Sequence, residues 1–511
     1  MLEPSAEVRR GRGRGLVRWG SAHWPVLLIC GVAAALRLWR LGAVALIGDE
    51  SYYWLWSERL APAYYDNAAG VALVVRASTA LGGQGEAGIR WLNALLGVGA
   101  VCLAYVLGTR LYSRRAAAIG AALLALGAPW IVVSRFVYTD ALQLALLLLN
   151  LAFLAPLIVD PREGPDGKAR ESWRFWGVGL SMAALFNTKY NAYLYALVLL
   201  AFLFVRRRRL FSDRRTWWAM GLAACGLLPV LIWNARHDWA SFGWQFQHFG
   251  TGTVRPSSMW VSLLHAVVYL TPPVALAGVL GASGVRGVRR QVLLVPALGL
   301  VLPLLLGPAD SPRNLLSGLA LLLLLAGDAL DGWLAHKRGL LWAAIGVLML
   351  VTGVYGVGTV QETMAAGPLP SSSAAGAIRF ESAGWRRLGP ELVRAARVFA
   401  LDYNIAAQLR YYSGHPVQTA WGQYRLWGIP AFCGPDAPDA GVQVVALGFL
   451  DPQFVTQRLA DSFEQVSDPV AFELGEDKVL YSWVADGCTV DQEAFLGRFD
   501  FMALLKAGGG A

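Results

Sequence analysis

The stretch Asn191-Ala192-Tyr193-Leu194-Tyr195-Ala196-Leu197-Val198-Leu199-Leu200-Ala201-Phe202-Leu203-Phe204-Val205-Arg206-Arg207-Arg208-Arg209 is an apolar run that stops on four arginines. A helix crossing a bilayer needs about 20 mainly apolar residues, and Lys and Arg collect on its cytoplasmic flank. The composition extends that reading to the whole chain. Of 511 residues, 56% are hydrophobic and 15% charged, against roughly 45–50% and 25% in soluble domains. With a mean hydropathy of +0.46 and 21 Trp, the chain is neither disordered nor an ordinary soluble enzyme. Its basic excess, 44 Lys and Arg against 34 Asp and Glu, belongs to cytoplasmic flanks. The arginine clusters cap apolar spans instead of forming a stripe, so no nucleic-acid partner is expected.

Working outward from Arg206–Arg209, apolar runs alternate in orientation. Arg9, Arg10, Arg12, Arg14 and Arg18 precede a run from about Trp24 to Leu46. This places the N-terminus in the cytoplasm, and no small-residue cleavage site follows, so the run reads as a retained anchor. Further spans are expected from Ile89 to Leu111, Ala116 to Val133, and after Asp140 to near Val159. Two more lie on either side of Asn187-Thr188-Lys189-Tyr190. Later ones run over Trp217 to Asn234, from Trp260 toward Arg286, and over Val292 to Gly307, Leu315 to Leu334 and Leu340 to Val360. The expected fold is an α-helical polytopic membrane protein with about 11 transmembrane helices.

The expected organisation is a basic leader over 1–23, a transmembrane catalytic part over 24–360 and a soluble domain over 361–511 on the periplasmic face of the cell (inner) membrane. Alternating runs such as Val442-Gln443-Val444-Val445-Ala446-Leu447 and Val479-Leu480-Tyr481-Ser482-Trp483 read as strands of a small α/β domain with its own core. Pro390 to Leu409 reads as a helix. Cys433 and Cys488 are the tail's two cysteines; one disulfide and two separate thiols fit equally well.

A polytopic chain without long polar insertions keeps its chemistry at helix ends on one face. Directly after the first span stand Asp49 and Glu50. Carboxylates at a membrane boundary mark functional sites when partly buried, or are solvated helix caps. The following Trp54 to Leu81, with Tyr64, Tyr65, Asp66 and Asn67 in its middle, fits an amphipathic helix at the interface. Asp140 is a second outer acid or another cap. Lys189 suits a phosphate as a compact cation, or snorkels. His237 is a proton carrier or a hydrogen-bonding filler, and Arg76, Arg90 and Arg313 are interfacial anchors or phosphate ligands.

Five segments occur in this order: Asp49-Glu50-Ser51-Tyr52-Tyr53-Trp54 leading to Tyr64-Tyr65-Asp66; Leu111 to Ala117; Ser134-Arg135 to Asp140; Thr188-Lys189-Tyr190; and Trp233-Asn234-Ala235-Arg236-His237-Asp238-Trp239. Their order resembles bacterial glycosyltransferases of the GT-C class, the group similar to protein O-mannosyltransferases and the lipid A 4-amino-4-deoxy-L-arabinose transferase. The resemblance covers about residues 25 to 335. It implies an inverting transfer, on the outer face, of a sugar carried on polyprenyl phosphate to a lipid, glycan or protein. Asp49 then matches the general base, with Glu50 beside it. Asp140 matches the second acid and Lys189 the cation near the lipid phosphate. Arg135, Tyr52, Tyr53, Tyr65, Asp66 and His237 are expected against donor or substrate.

Some relatives hold a divalent metal between two acids, which here would be Asp49 and Asp140, and others do not. No nucleotide cofactor is implied. The chain departs from the family at Asn67-Ala68-Ala69, where His-Pro-Pro is usual, and at Asp310-Ser311-Pro312-Arg313-Asn314. The competing readings are a lipid or sugar transporter and a catalytically silent scaffold. A transporter would favour an internal repeat, which the sequence lacks.

Overall fold

The computed structural model describes residues 24–159, 165–250, 287–306, 312–336, 350–361 apart from 355, 381–419 apart from 396, 441–447, 450–475 and 478–499, with a few isolated positions besides. The leader, the span expected from Trp260, much of that from Leu340, and Cys433 lie outside the described residues. Cys488 is disulfide-bonded.

Helices dominate the first two thirds of the chain. They are α1 (Trp24–Leu38), α2 (Gly48–Glu58), α3 (Gly70–Gly82), α4 (Glu86–Leu111), α5 (Arg114–Leu126), α6 (Ala128–Arg135), α7 (Thr139–Val159), α8 (Pro165–Leu185) and α9 (Asn191–Arg206). Then come α10 (Arg214–Cys225), α11 (Leu228–Arg236), α12 (Ala240–Gly250), α13 (Val288–Leu306) and α14 (Leu316–His336). Among the described residues, Glu86–Leu111, Thr139–Val159, Arg214–Arg236 and Arg313–Gly332 are long and apolar enough to cross a membrane. This is a multi-pass membrane architecture. One buried core joins α1, α4, α5, α7, α9, α13 and α14 through residues such as Ala33, Val101, Leu123, Leu147, Leu199, Leu293 and Leu324.

Several boundaries differ from the sequence reading. The run expected over Ala116 to Val133 is two helices bent by 60°. Gly127 is extended there and Pro129 opens α6, where its missing N–H costs nothing. The first helix stops at Leu38, with turns and bends over 39–44. Trp54 to Leu81 is not one helix. Trp54 belongs to α2, and a loop carrying Tyr64 to Asn67 separates it from α3.

Two buried arginines hold these breaks. Arg37 donates from Nη1 to the Ala125 carbonyl at 3.0 Å, satisfying a group that the end of α5 leaves without a helical partner. Arg135 returns the favour at the end of α1, donating to the carbonyls of Leu36 and Trp39 at 2.9 Å.

The tail forms α15 (Trp385–Leu392), β1 (Arg397–Ala400), α16 (Tyr403–Ser413), β2 (Val417–Gln418), β3 (Val442–Leu447), α17 (Pro452–Ala460), β4 (Phe463–Val466), β5 (Val470–Gly475), β6 (Lys478–Cys488) and α18 (Gln492–Arg498). The expected helix from Pro390 to Leu409 is therefore replaced by the end of α15, a strand and half of α16. The sheet order is β2-β1-β3-β6-β4, with β5 also on β6. Strands β2, β1 and β3 are parallel, while β6 runs antiparallel to β3, β4 and β5.

Alternation along the strands divides the core. Phe399, Val444, Ala446 and Trp483 face one cluster with Val455 and Phe495 of α17 and α18. Val398, Ala400, Val445 and Leu480 face the other, which also contains Tyr52, Tyr53, Trp56, Tyr64 and Val71. One of the tail's two clusters is thus made within the tail, and the other is shared with α2, α3 and the loop between them.

Candidate active site

Helix α2 begins with Asp49 and Glu50 in its first turn, and this turn sends the two carboxylates to opposite environments. Glu50 is fully buried. Its Oε1 accepts from Arg90 Nε at 2.7 Å and Val137 N at 2.9 Å, and its Oε2 from Arg90 Nη2 at 2.6 Å and Ile47 N at 3.1 Å. Arg90 also donates to the carbonyls of Leu41, Val44 and Ala45. Asp49, one residue earlier, faces a cavity of about 210 Å³.

That cavity is walled by Asp49, Tyr52, Tyr53, Asp66, Tyr138, Asp140, Lys189 and Arg313, among others. They come from several breaks in the helical bundle, Asp49, Tyr52 and Tyr53 together from α2. Asp140 opens α7. Lys189 lies in the turn between α8 and α9, and its Nζ donates to Asp140 Oδ1 at 3.0 Å. This turn is pinned from two sides. Asn187 donates to the carbonyls of Ala183 and Gly226, and its own carbonyl accepts from Gly70 N at 2.7 Å. A Cβ on Gly70 would lie 2.3 Å from that carbonyl oxygen, so only glycine permits the approach.

Asp66 is delivered by a small hairpin. Tyr64 N donates to Asn67 O at 2.8 Å, Ala63 and Ala68 form an isolated antiparallel bridge, and the Tyr64 ring stacks on Trp56 at 4.3 Å. The Asp66 backbone carbonyl accepts from Gln245 Nε2 of α12 at 2.8 Å. Burial pushes the Asp66 carboxyl up to about 7, against a lowering hydrogen bond from Tyr52 and with a smaller push from Asp49. Arg313, in the short turn before α14, donates from Nη1 to Asp49 Oδ2 at 3.0 Å and lies 4.3 Å from the Tyr138 ring centroid.

Of the residues singled out from the sequence, the fold brings Asp49, Asp140, Lys189, Tyr52, Tyr53 and Asp66 to one cavity. Glu50 and Arg135 are committed to the buried networks described above. Tyr65 packs against Trp244, 5.6 Å between ring centroids. His237 stacks on Trp233 at 4.2 Å, and its Nδ1 meets that residue's carbonyl at 2.7 Å; it is not in the lining. The lining also holds Tyr138, Asn191, Trp244, Asn314 and Tyr403, which the sequence reading did not select. Tyr403 comes from the tail, 4.7 Å from the Tyr52 ring.

The donor set does not suit a divalent metal. Asp49 and Asp140 each already face a side-chain cation, and among the described residues no group of three or more His, Cys, Asp or Glu could hold one.

Comparison with known proteins bears on the fold and on one segment of the sequence. Residues 66–233 match the family described as dolichyl-phosphate-mannose-protein mannosyltransferase. No curated protein matches the chain in sequence. Among solved structures, ArnT from Cupriavidus metallidurans in the apo state superimposes with a TM-score of 0.61 at 15% identity, covering 91% of this chain and 98% of that one. The same protein bound to undecaprenyl phosphate gives 0.59 at 17%, covering 90% and 98%. The oligosaccharyltransferase AglB from Archaeoglobus fulgidus, in complex with an inhibitory peptide and a dolichol-phosphate, gives 0.53 at 12%, covering 78% and 64%. At these identities the likeness to solved structures is one of fold. Together with the matched segment it upholds the resemblance read from the ordered motifs, to glycosyltransferases of the GT-C class.

Proposed function

We propose that this protein is an inverting glycosyltransferase that moves a sugar from a polyprenyl-phosphate carrier to a lipid, glycan or protein on the periplasmic face of the bacterial inner membrane. About eleven spans, an N-terminus in the cytoplasm and a tail outside belong to the same proposal, as does the division near residue 360. The observation that carries it is the single cavity joining Asp49, Asp140 and Lys189 at the ends of separate helices. Support comes from the matched family, named for a dolichyl-phosphate-linked mannose donor, and from neighbours captured with undecaprenyl phosphate and dolichol-phosphate.

In this reaction an acceptor hydroxyl attacks the anomeric carbon, and the bond from that carbon to the phosphate oxygen breaks. Asp49 takes the hydroxyl proton, which a carboxylate within hydrogen-bond reach can do. Lys189 faces the charge that accumulates on the departing lipid phosphate. Asp140 holds Lys189 in place. Tyr52 and Tyr53 offer apolar faces and hydroxyls to a sugar ring. Glu50 acts only through Arg90 and the N-terminus of α2, as a positioning residue.

The test is sugar transfer by the purified full-length protein in nanodiscs, from radiolabelled undecaprenyl-phosphate-linked hexose and pentose, with mass spectrometry of envelope glycans from cells with and without the gene. Transfer of label and loss of one sugar from the envelope support the reading. Movement of lipid across a vesicle without transfer would replace it with a transporter.

A further inference from the structure

Resting on the transferase reading, we propose that Arg313 is a second cation for the donor's lipid phosphate, and that the phosphate draws it off Asp49 and so frees that carboxylate to accept the proton. Among the described residues, Lys189 and Arg313 are the cationic side chains lining the cavity, which also holds the carboxylates of Asp49, Asp66 and Asp140. A phosphate that enters such a site competes with these carboxylates, and a cation can meet it by changing partner. The two pairs differ in how readily that happens. Lys189 and Asp140 keep 17% and 5% of their side-chain exposure, whereas Arg313 and Asp49 keep 36% and 23%. The Arg90–Glu50 pair, at 1% and 0%, cannot exchange at all.

The setting of Arg313 suits an exchange. It stands on the turn Pro312–Leu315 before α14, an element independent of α2, so it can turn from Asp49 without moving the helix that carries the base. Its guanidinium rests 4.3 Å from the Tyr138 ring centroid, a contact that persists whichever anion it faces. A guanidinium fork also matches phosphate better than an ammonium does, through two parallel hydrogen bonds. Burial already raises Asp66, which lessens the negative charge the phosphate meets there. The exchange couples chemistry to occupancy, because Asp49 becomes available only when a donor phosphate is present.

The experiment measures undecaprenyl phosphate binding to the full-length protein in nanodiscs, with undecaprenol as the uncharged control. Arg313→Gln should weaken the phosphate lipid about tenfold, and Arg313→Lys less, as expected for loss of a charge-assisted pair. Asp49→Asn should tighten binding severalfold in the natural chain and leave it unchanged in the Arg313→Gln chain, because the two effects share one partner. Equal tightening in both backgrounds, or unchanged binding by Arg313→Gln, overturns the proposal. Should Arg313→Gln not fold, the Arg313→Lys background replaces it, where smaller tightening supports the exchange and equal tightening overturns it. If the natural chain does not prefer undecaprenyl phosphate to undecaprenol, the transferase reading itself fails, and the exchange with it.

Discussion

Asp49 and Glu50 are neighbours with opposite fates, and substitution should separate them. Asp49→Asn preserves size but cannot take a proton, so turnover should fall by about 10²–10⁴ in a purified assay, with the protein still folded. Glu50→Gln leaves Arg90 as a buried charge without its counterion, which costs about 3–5 kcal/mol. Its first symptom should therefore be a lower thermal midpoint, and normal stability with abolished turnover would make Glu50 the base instead. Asp66 gives a pH signature. Its carboxyl is raised from 3.8 to about 7 by burial, so between those values the folded state binds more protons than the unfolded one. Stability from this group then falls as pH rises and stays lost above about 7. Asp66→Asn removes that loss, and its thermal gain over the natural chain should be larger at pH 8 than at pH 5; a pH-independent difference would contradict the burial of this carboxyl. Asp49, Asp140 and Lys189 were legible in the sequence because few charged residues stand at the ends of apolar runs opposite the arginine-rich flanks. The commitment of Glu50 was not, since its partner Arg90 lies 40 positions away.

At the scale of elements, the arginine pair at the breaks of α1 and α5 gives Arg135 a structural task outside the cavity lining. Its guanidinium replaces helical donors for the carbonyls of Leu36, Arg37 and Trp39. Arg135→Met should leave these groups without that donor, at about 1–3 kcal/mol each where nothing replaces it, read as a lower thermal midpoint in detergent. Undecaprenyl phosphate binding by the folded fraction should stay normal, whereas selective loss of binding with normal stability would return Arg135 to the donor site. Long apolar runs announced α4, α7 and α14 within a few residues. Breaks were harder to see, because Gly127 and Pro129 interrupt the run of α5 and α6 without bringing a charge into it. The short buried strand Arg397–Ala400 was hidden for a related reason. Four residues ahead of a helical stretch show too little periodicity to tell strand from helix.

At the scale of the molecule, the tail is part of the site and not an appendage. Helix α16 grips the segment before α2 from both sides: Leu46 N donates to Tyr412 Oη at 2.6 Å, and Gln408 Nε2 donates to Leu46 O at 2.8 Å. Gly48 follows, and a Cβ there would lie 2.5 Å from the Asn404 side chain, so the tail sits directly on the turn that aims Asp49. Orientation ties this contact to the membrane. A reporter fused after Ala511 should be active only in the periplasm and one fused after Arg209 only in the cytoplasm, and reversal at either site would put the chemistry on the wrong face. The docking itself is tested by Gln408→Leu with Tyr412→Phe, which leaves both polar groups of Leu46 without these partners at about 1–3 kcal/mol apiece if they stay dry. Lys189 and Arg313 are not on the tail, so undecaprenyl phosphate should bind as before. Asp49 loses its fixed aim, and because a misplacement of about 1 Å costs on the order of 10²-fold in rate, turnover should drop steeply while amide exchange over residues 41–48 speeds up. Faster exchange with unchanged turnover would show that the tail braces the fold without setting the geometry of the reaction.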